Sequence, residues 1–246
     1  MPEIETTAIV LRRSDYRDWD RMLTLFSPEH GKIDAMARGI RRPTARMRAA
    51  GEPFATGLAS LTVSGDRASL SGFDLTEGFY PLRENYDRLT QAAYVLNACA
   101  KVVQPLTPDP GLFALLQRIL GRLAYTDQSG EELLARFLFI MMQGEGIVPS
   151  IRICARCGRD IPDETPAAEL RVSIPEGGVC CVNCAPYGRK VRDQTLNWLR
   201  SAERAGLDDA LPEFVPGAWE MLKVFFEGYS GGVRMRRRGG TYTVRP

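Results

Sequence analysis

Two pairs of cysteines set the chemistry that this chain can do. Cys154-Ala155-Arg156-Cys157 and Cys181-Val182-Asn183-Cys184 are C-x-x-C pairs with 23 residues between them. Each pair suits a tight turn that aims two sulfurs at one ion. An arm of this length can fold back to bring the turns face to face, which is the ligand layout of a four-thiolate zinc ribbon. Gly158 follows the first pair directly, where the backbone must bend back under the metal, and Gly177-Gly178 precede the second. A site closed by four sulfurs has no open coordination position, so zinc held there is structural rather than catalytic. Two disulfides, or four unrelated thiols, are the competing readings. Cys180 adjoins Cys181 but breaks the C-x-x-C spacing to Cys184, and Cys99 follows the apolar run Ala92–Leu96 and reads as a small core residue.

The compartment bears on that choice. Met1-Pro2-Glu3-Ile4-Glu5 has neither a basic region nor an apolar stretch, so no export signal is expected. The most apolar run, Phe137–Met142, lies between Arg136 and Gln143 and is too short to span a membrane. The expected location is the cytoplasm. Thiols stay reduced there, which favours metal over disulfide.

Catalytic chemistry has little to work with. His30 is the only histidine of 246 residues, and it sits in the turn sequence Ser27-Pro28-Glu29-His30-Gly31. A histidine triad, general base or histidine-carboxylate metal centre would depend on that one side chain. No phosphate-cradling lysine loop and no G-x-G-x-x-G after a strand is present. The acidic pairs Glu131-Glu132 and Asp208-Asp209 read as helix-start and solvated charges. The chain is therefore expected not to be an enzyme; a metal-dependent hydrolase is the contrary reading.

The basic residues are concentrated. Net charge is only +2, yet Gly31–Arg48 holds Lys32, Arg38, Arg41, Arg42, Arg46 and Arg48 against Asp34 alone. Guanidinium groups offer forked donors that keep their charge, which fits a phosphate backbone; a loop charged for solubility is the plainer alternative. Gly39 and Pro43 place the later arginines on a mobile loop leaving a strand. Arg12, Arg13, Arg17 and Arg21 extend the patch but are interleaved with Asp15, Asp18 and Asp20. A second run, Arg234, Arg236, Arg237 and Arg238, lies in a glycine-flanked tail. Trp219, Phe225, Phe226 and Tyr229 precede it; they read first as core packing and second as an apolar groove that would capture an acidic peptide ending in an aromatic residue.

These residues need elements to position them. Five short apolar or β-branched segments (Thr6–Leu11, Met22–Phe26, Ile33–Ala37, Leu58–Val63 and Ala68–Phe73) read as strands of a small barrel, whose type the periodicity does not fix. In the third, Ile33, Ala35 and Ala37 share one face. From Glu84 the spacing turns helical, with further helices expected over Leu112–Tyr125, Glu131–Gln143, Arg189–Arg204 and Gly217–Tyr229. The expected fold is α+β and multidomain: a barrel over residues 1–80, a helical domain over 81–150 and 189–246, and a zinc-ribbon-like insertion over 151–188.

Several blocks together resemble one family. Thr7-Ala8-Ile9-Val10-Leu11-Arg12, Asp15-Tyr16, Asp20-Arg21-Met22-Leu23-Thr24-Leu25-Phe26, His30-Gly31-Lys32 and Arg38-Gly39 with Arg41-Arg42 are similar to the opening of the bacterial RecO recombination mediators. Gly146-Ile147-Val148-Pro149, Cys154-Ala155-Arg156-Cys157-Gly158 and Gly177-Gly178-Val179-Cys180-Cys181 with Cys184 are similar to the family's later part. The resemblance implies that the barrel is a five-stranded OB-fold and that the role is non-enzymatic, in recombinational DNA repair. It further implies binding of single- and double-stranded DNA, annealing of complementary strands, and engagement of the acidic C-terminal tail of single-strand binding protein. Loading of RecA together with RecR is implied as well. By position, the DNA-binding region falls on Lys32–Arg48 and the metal ligands on Cys154, Cys157, Cys181 and Cys184. Arg17-Asp18 stand where the family commonly has Gly-Glu. For the tail, Leu112–Tyr125 with Arg118 and Arg122, and Gly217–Tyr229, are the candidate helices. An RNA-binding barrel-plus-ribbon factor of translation or transcription is the alternative function.

Overall fold

The structure, a computed structural model, describes residues 3–64 and 67–230, together with the backbone of 234–238 and 241–245. Strands β1 (Glu3–Tyr16), β2 (Asp20–Ser27), β3 (Gly31–Ala37), β4 (Thr56–Ser64) and β5 (Arg67–Glu77) close into a barrel in the order β1-β2-β3-β5-β4. Neighbours run antiparallel except β3 and β5, where Ala35 pairs with Ala68 and Met36 with Ser69 in parallel. This is the five-stranded Greek-key barrel of the OB type. So narrow a barrel needs small side chains inside. Ala8, Ala35, Ala37, Ala50, Ala55 and Ala59 share the interior with Val10, Leu23, Leu25, Ile40, Leu61, Leu70 and Phe73. All five expected strands are found, and each extends beyond its apolar centre because ladder hydrogen bonds continue past the residues that face inward.

Helices α1 (Tyr86–Val102) and α2 (Pro110–Tyr125) follow. Each begins where the sequence offers a cap. The Asn85 side chain accepts from the Arg88 amide at 3.1 Å, and that of Asp109 from the Leu112 amide at 2.9 Å with Pro110 in the first turn. The apolar stripe of α2 is buried, and Phe113 meets Phe26 of β2 edge-on at 5.4 Å between ring centroids. The α1–α2 link is tied to the β2–β3 turn by the Lys32 amide donating to Gln104 O at 3.0 Å and that of Asp109 donating to Pro28 O at 3.0 Å. Gly31 lies at the closest approach, with φ +64°; a Cβ there would stand 2.3 Å from Gln104 O.

Helix α3 (Gly130–Gly144), strands β6 (Leu170–Ser173), β7 (Gly178–Cys181) and β8 (Arg189–Lys190), and helices α4 (Asp193–Ala202) and α5 (Pro216–Ser230) make the rest of the described side-chain structure. Glu131 and Glu132 occupy the first turn of α3, where carboxylates favour the helix dipole. The small sheet has the order β7-β6-β8. Trp198, Trp219, Phe137, Phe139 and Phe226 fill the helical core. The fourth expected helix starts later than its sequence suggests, because Arg189 and Lys190 pair with Val172 and Arg171 of β6 instead. Strands β9 (Arg234–Arg238) and β10 (Thr241–Arg245) pair with each other; the arginine side chains of that basic run lie outside the described residues.

By proximity of the backbone, residues up to Thr126 together with Met235–Val244 group as one compact unit, and Asp127–Arg234 as a second. Helices α1 and α2 group with the barrel, and α3 groups with the ribbon, α4 and α5. Helical periodicity reports that a segment is amphipathic, not which neighbour covers its apolar face.

Candidate nucleic-acid interface and metal centre

Strand β3 leads out of the barrel into the arginine-rich segment. The segment is less free than its glycine and proline suggest. Successive turns close between Arg42 N and Gly39 O, Ala45 N and Arg42 O, and Arg48 N and Ala45 O, at 3.0, 3.0 and 3.3 Å. Ile40 is buried in the barrel core and acts as an anchor. The Arg41 backbone amide donates to Trp19 O at 3.0 Å, and its guanidinium donates to Arg17 O at 3.3 Å and lies 3.5 Å from the Asp15 carboxylate. Arg41 is thus half-buried and holds the segment against the β1–β2 turn. Arg38, Arg42, Arg46 and Arg48 are exposed and have no ion-pair partner among the described residues. Lys32 is half-buried on β3.

The acids interleaved with the earlier arginines are largely engaged. Arg21 bonds Asp15 and Glu52, each at 2.9 Å, and Arg13 bonds Glu52 at 2.6 Å. The Arg21 hydrogen bond, aided by the charges of Arg41, Arg21 and Arg13, holds the Asp15 carboxyl below the ordinary carboxylate range. Arg12 and Arg17 are exposed without an ion pair among the described residues, so the unpaired cations run from the β1–β2 hairpin onto the segment 38–48. Sequence reasoning missed the aromatic residues around it. Tyr16 and Trp19 on the β1–β2 turn are 44% and 47% exposed, and Tyr80 just beyond β5 is 57% exposed. Large exposed rings beside unpaired arginines are visible only after folding, since in the sequence they are indistinguishable from core aromatics.

The four cysteines come together as expected. The Sγ atoms of Cys154, Cys157, Cys181 and Cys184 all lie within 4.8 Å of one another. Cys154 Sγ is 3.9 Å from Cys181 Sγ, close to the edge of about 3.8 Å that a tetrahedron of sulfurs has around zinc at about 2.3 Å. The first turn is closed by the Gly158 amide donating to Cys154 O at 2.9 Å, with Gly158 at φ +72°. The second is closed by the Cys184 amide donating to Cys181 O at 3.0 Å. Arg156 joins them, donating to Cys184 O at 2.8 Å. All six cysteines are free thiols, and Cys180 stands outside the cluster, buried on β7 with its thiol pushed up by desolvation.

The donor set fits a soft dication. Burial opposes ionisation of Cys154, but amides of Cys157, Cys181 and Arg156 outweigh it and bring the thiol down to about 6. Cys184, hydrogen-bonded first to Cys181 and then to Cys157, is pushed up to about 12. Cys154 thus ionises readily while Cys184 holds its proton, the behaviour of close-set sulfurs whose mutual repulsion a cation relieves. The ribbon is held by basic residues that the sequence did not single out: buried Arg200 of α4 donates to Pro162 O at 3.1 Å and Asp163 O at 2.9 Å, and Arg152 bonds Glu203 and, at 2.9 Å, Asp163.

Three aromatic residues of α5, Trp219, Phe225 and Phe226, are buried in the core, whereas Tyr229 is exposed. A groove of about 950 Å³ lies instead along another side of that helix, lined by Val172, Ile174, Pro216, Met221 and Val224 and edged by Arg189, Lys190 and Arg192. Those three cations are exposed. On α2, Leu112, Leu115, Leu116, Ile119 and Leu123 are buried, so the stripe expected to receive a peptide is already covered.

Comparison with known proteins agrees with this architecture. Residues 1–79 match the family described as "Recombination protein O N terminal" and residues 83–238 the one described as "Recombination protein O C terminal". The chain is 32% identical over 235 residues to the DNA repair protein RecO of Myxococcus xanthus (strain DK1622), covering 94% of both chains. It is 32% identical over 248 residues to that of Anaeromyxobacter dehalogenans (strain 2CP-C), covering 97% of this chain and 96% of the relative. It is 35% identical over 196 residues to that of Geobacter metallireducens, covering 78% and 76%.

Proposed function

Because the chain belongs to the RecO family of DNA repair proteins, we propose that it acts without catalysis as a recombination mediator. It binds single- and double-stranded DNA, anneals complementary strands and, with RecR, helps load RecA on DNA coated by single-strand binding protein. The observation that carries this reading is the set of four exposed, unpaired arginines, Arg38, Arg42, Arg46 and Arg48, fixed by turns on an OB barrel. Phosphate contact by such groups is sequence-independent, as annealing arbitrary strands requires. Arg41 and Lys32 complete the DNA-binding region, Arg41 chiefly by holding the segment in place.

Cys154, Cys157, Cys181 and Cys184 would hold one zinc ion, which supplies folding energy to the ribbon and no chemistry to a substrate. The acidic tail of single-strand binding protein docks in the groove edged by Arg189, Lys190 and Arg192, apolar side chains receiving its terminal aromatic residue. No helix among the described residues is long and apolar enough to cross a membrane; the protein works in the cytoplasm at the nucleoid. The test is annealing of complementary strands coated with single-strand binding protein. Duplex formation accelerated by the full chain, and slowed by an excess of free tail peptide, is expected. Annealing of naked strands only, or preferential binding of structured RNA, contradicts the reading.

A further inference from the structure

Beyond β5 the chain makes a short turn whose side chains frame a second site on the barrel unit. A cleft of about 470 Å³, within the range of small-ligand sites, is lined by Arg46, Arg48, Leu75, Gly78, Tyr80 and Arg83 among others. Glu52 also borders it, but its carboxylate already accepts from Arg13 and Arg21. The ring of Tyr80 is 57% exposed, and it is held from behind. A Cβ at Gly78 would stand 2.8 Å from the ring, so only glycine lets it lie there. The guanidinium of Arg83 sits 5.3 Å from the Tyr80 centroid and 5.6 Å from that of Phe54, and donates to Gly78 O at 2.7 Å and Pro53 O at 3.0 Å. Glu77 fixes the same turn by accepting from the amides of Gly78 and Phe79 at 2.7 and 2.6 Å. Phe54 and Phe79 hold φ of +75° and +45°, rare for bulky residues and sustained only where surroundings impose them. The result is a rigid aromatic platform flanked by two cations, Arg46 and Arg48, that have no ion pair among the described residues.

We propose that this cleft is a nucleotide subsite for single-stranded DNA, in which one unpaired base stacks on Tyr80 and its flanking phosphates lie on Arg46 and Arg48. Arg83 is a positioning residue. Stacking on an aromatic face is sequence-tolerant, and it requires a base that has left its own stack. The subsite therefore distinguishes single strands from duplex, whereas phosphate contacts alone do not. The proposal rests on the DNA-binding reading above and deepens it.

Fluorescence anisotropy with a single-stranded oligonucleotide and with its duplex tests it on the full chain. Tyr80→Ala weakens single-strand binding roughly tenfold, the scale of one lost stack, and leaves duplex binding within twofold; Tyr80→Phe binds single strands like the unaltered protein. In the unaltered protein, photocrosslinking to an oligonucleotide carrying 5-iododeoxyuridine labels the peptide that contains Tyr80, a readout that needs no variant. Equal single-strand affinity for Tyr80→Ala, equal losses on single strand and duplex, or crosslinks that all map elsewhere overturn the subsite. If these occur while Arg38→Ala/Arg42→Ala still weakens both substrates, the DNA-binding reading survives. If the unaltered protein binds neither substrate, both fall.

Discussion

At the residue scale the four clustered cysteines were the most legible feature, because C-x-x-C spacing states a geometry as well as a composition. The 23-residue arm left the sulfurs within 4.8 Å of one another. Replacing Cys154 with serine removes the most buried sulfur of the cluster, and an alcohol is a poor ligand for a soft metal. The variant should drop from about one zinc per chain to well under half by elemental analysis. It should also expose the ribbon between β6 and β8 to proteolysis before the barrel, since metal binding and ribbon folding are coupled. Undiminished zinc content in this variant would mean that the metal sits elsewhere. The arginines were legible as a cluster but not as individuals. The sequence could not separate Arg41, which braces the segment against Asp15 and Arg17, from Arg38, Arg42, Arg46 and Arg48, which have no such duty. Arg41→Ala should accordingly lower the melting temperature as well as affinity, whereas Arg42→Ala should lower affinity alone.

At the element scale the strands and helices followed from period and caps, and the differences came from tertiary pairing. Arg189 and Lys190 carry helical residue types yet join β6, because the edge of a small sheet satisfies their backbone groups. Gly31 is the sharpest element-level test. Its positive φ and its approach to the Gln104 and Thr107 carbonyls fasten the β2–β3 turn to the α1–α2 link. Gly31→Ala should destabilise the chain by roughly 2–4 kcal/mol, the range of a strained backbone position with a steric clash, read by urea or thermal melts of the purified protein. Beside it, Glu29 accepts from Thr6 at 2.6 Å and from Ser27 at 3.1 Å, and the Thr6 hydroxyl above all holds its carboxyl below the ordinary range. The folded state thus favours the ionised form. The contribution is present above the unfolded carboxylate value of about 4.3 and fades as pH falls through the lower folded value. Glu29→Gln should therefore narrow the stability gap to the unaltered protein as pH drops from 6 toward 3, and a gap that is flat with pH would assign the turn's stability to packing alone.

At the scale of the whole molecule, family and fold agree. An OB barrel and, among the described residues, five α-helices and a four-cysteine cluster belong to a chain that matches RecO relatives over nearly all of its length. What the sequence left hidden was the distribution of surface: which arginines are unpaired, which aromatics are exposed, and that an apolar groove lies beside the buried rings of α5. Such properties depend on residues far apart in the chain, such as Asp15, Arg41 and Glu52, and no local pattern encodes them. The central claim is that the segment leaving β3 holds DNA by its phosphates. The most direct measurement is the slope of log affinity against log salt for a single-stranded oligonucleotide, compared between the unaltered chain and Arg38→Ala/Arg42→Ala/Arg46→Ala/Arg48→Ala. Each lost phosphate contact to a single strand flattens the slope by about 0.7. The account predicts a slope shallower by nearly 3 together with weaker binding across unrelated sequences. An unchanged slope and affinity would show that these arginines serve only solubility and that DNA is held on another surface.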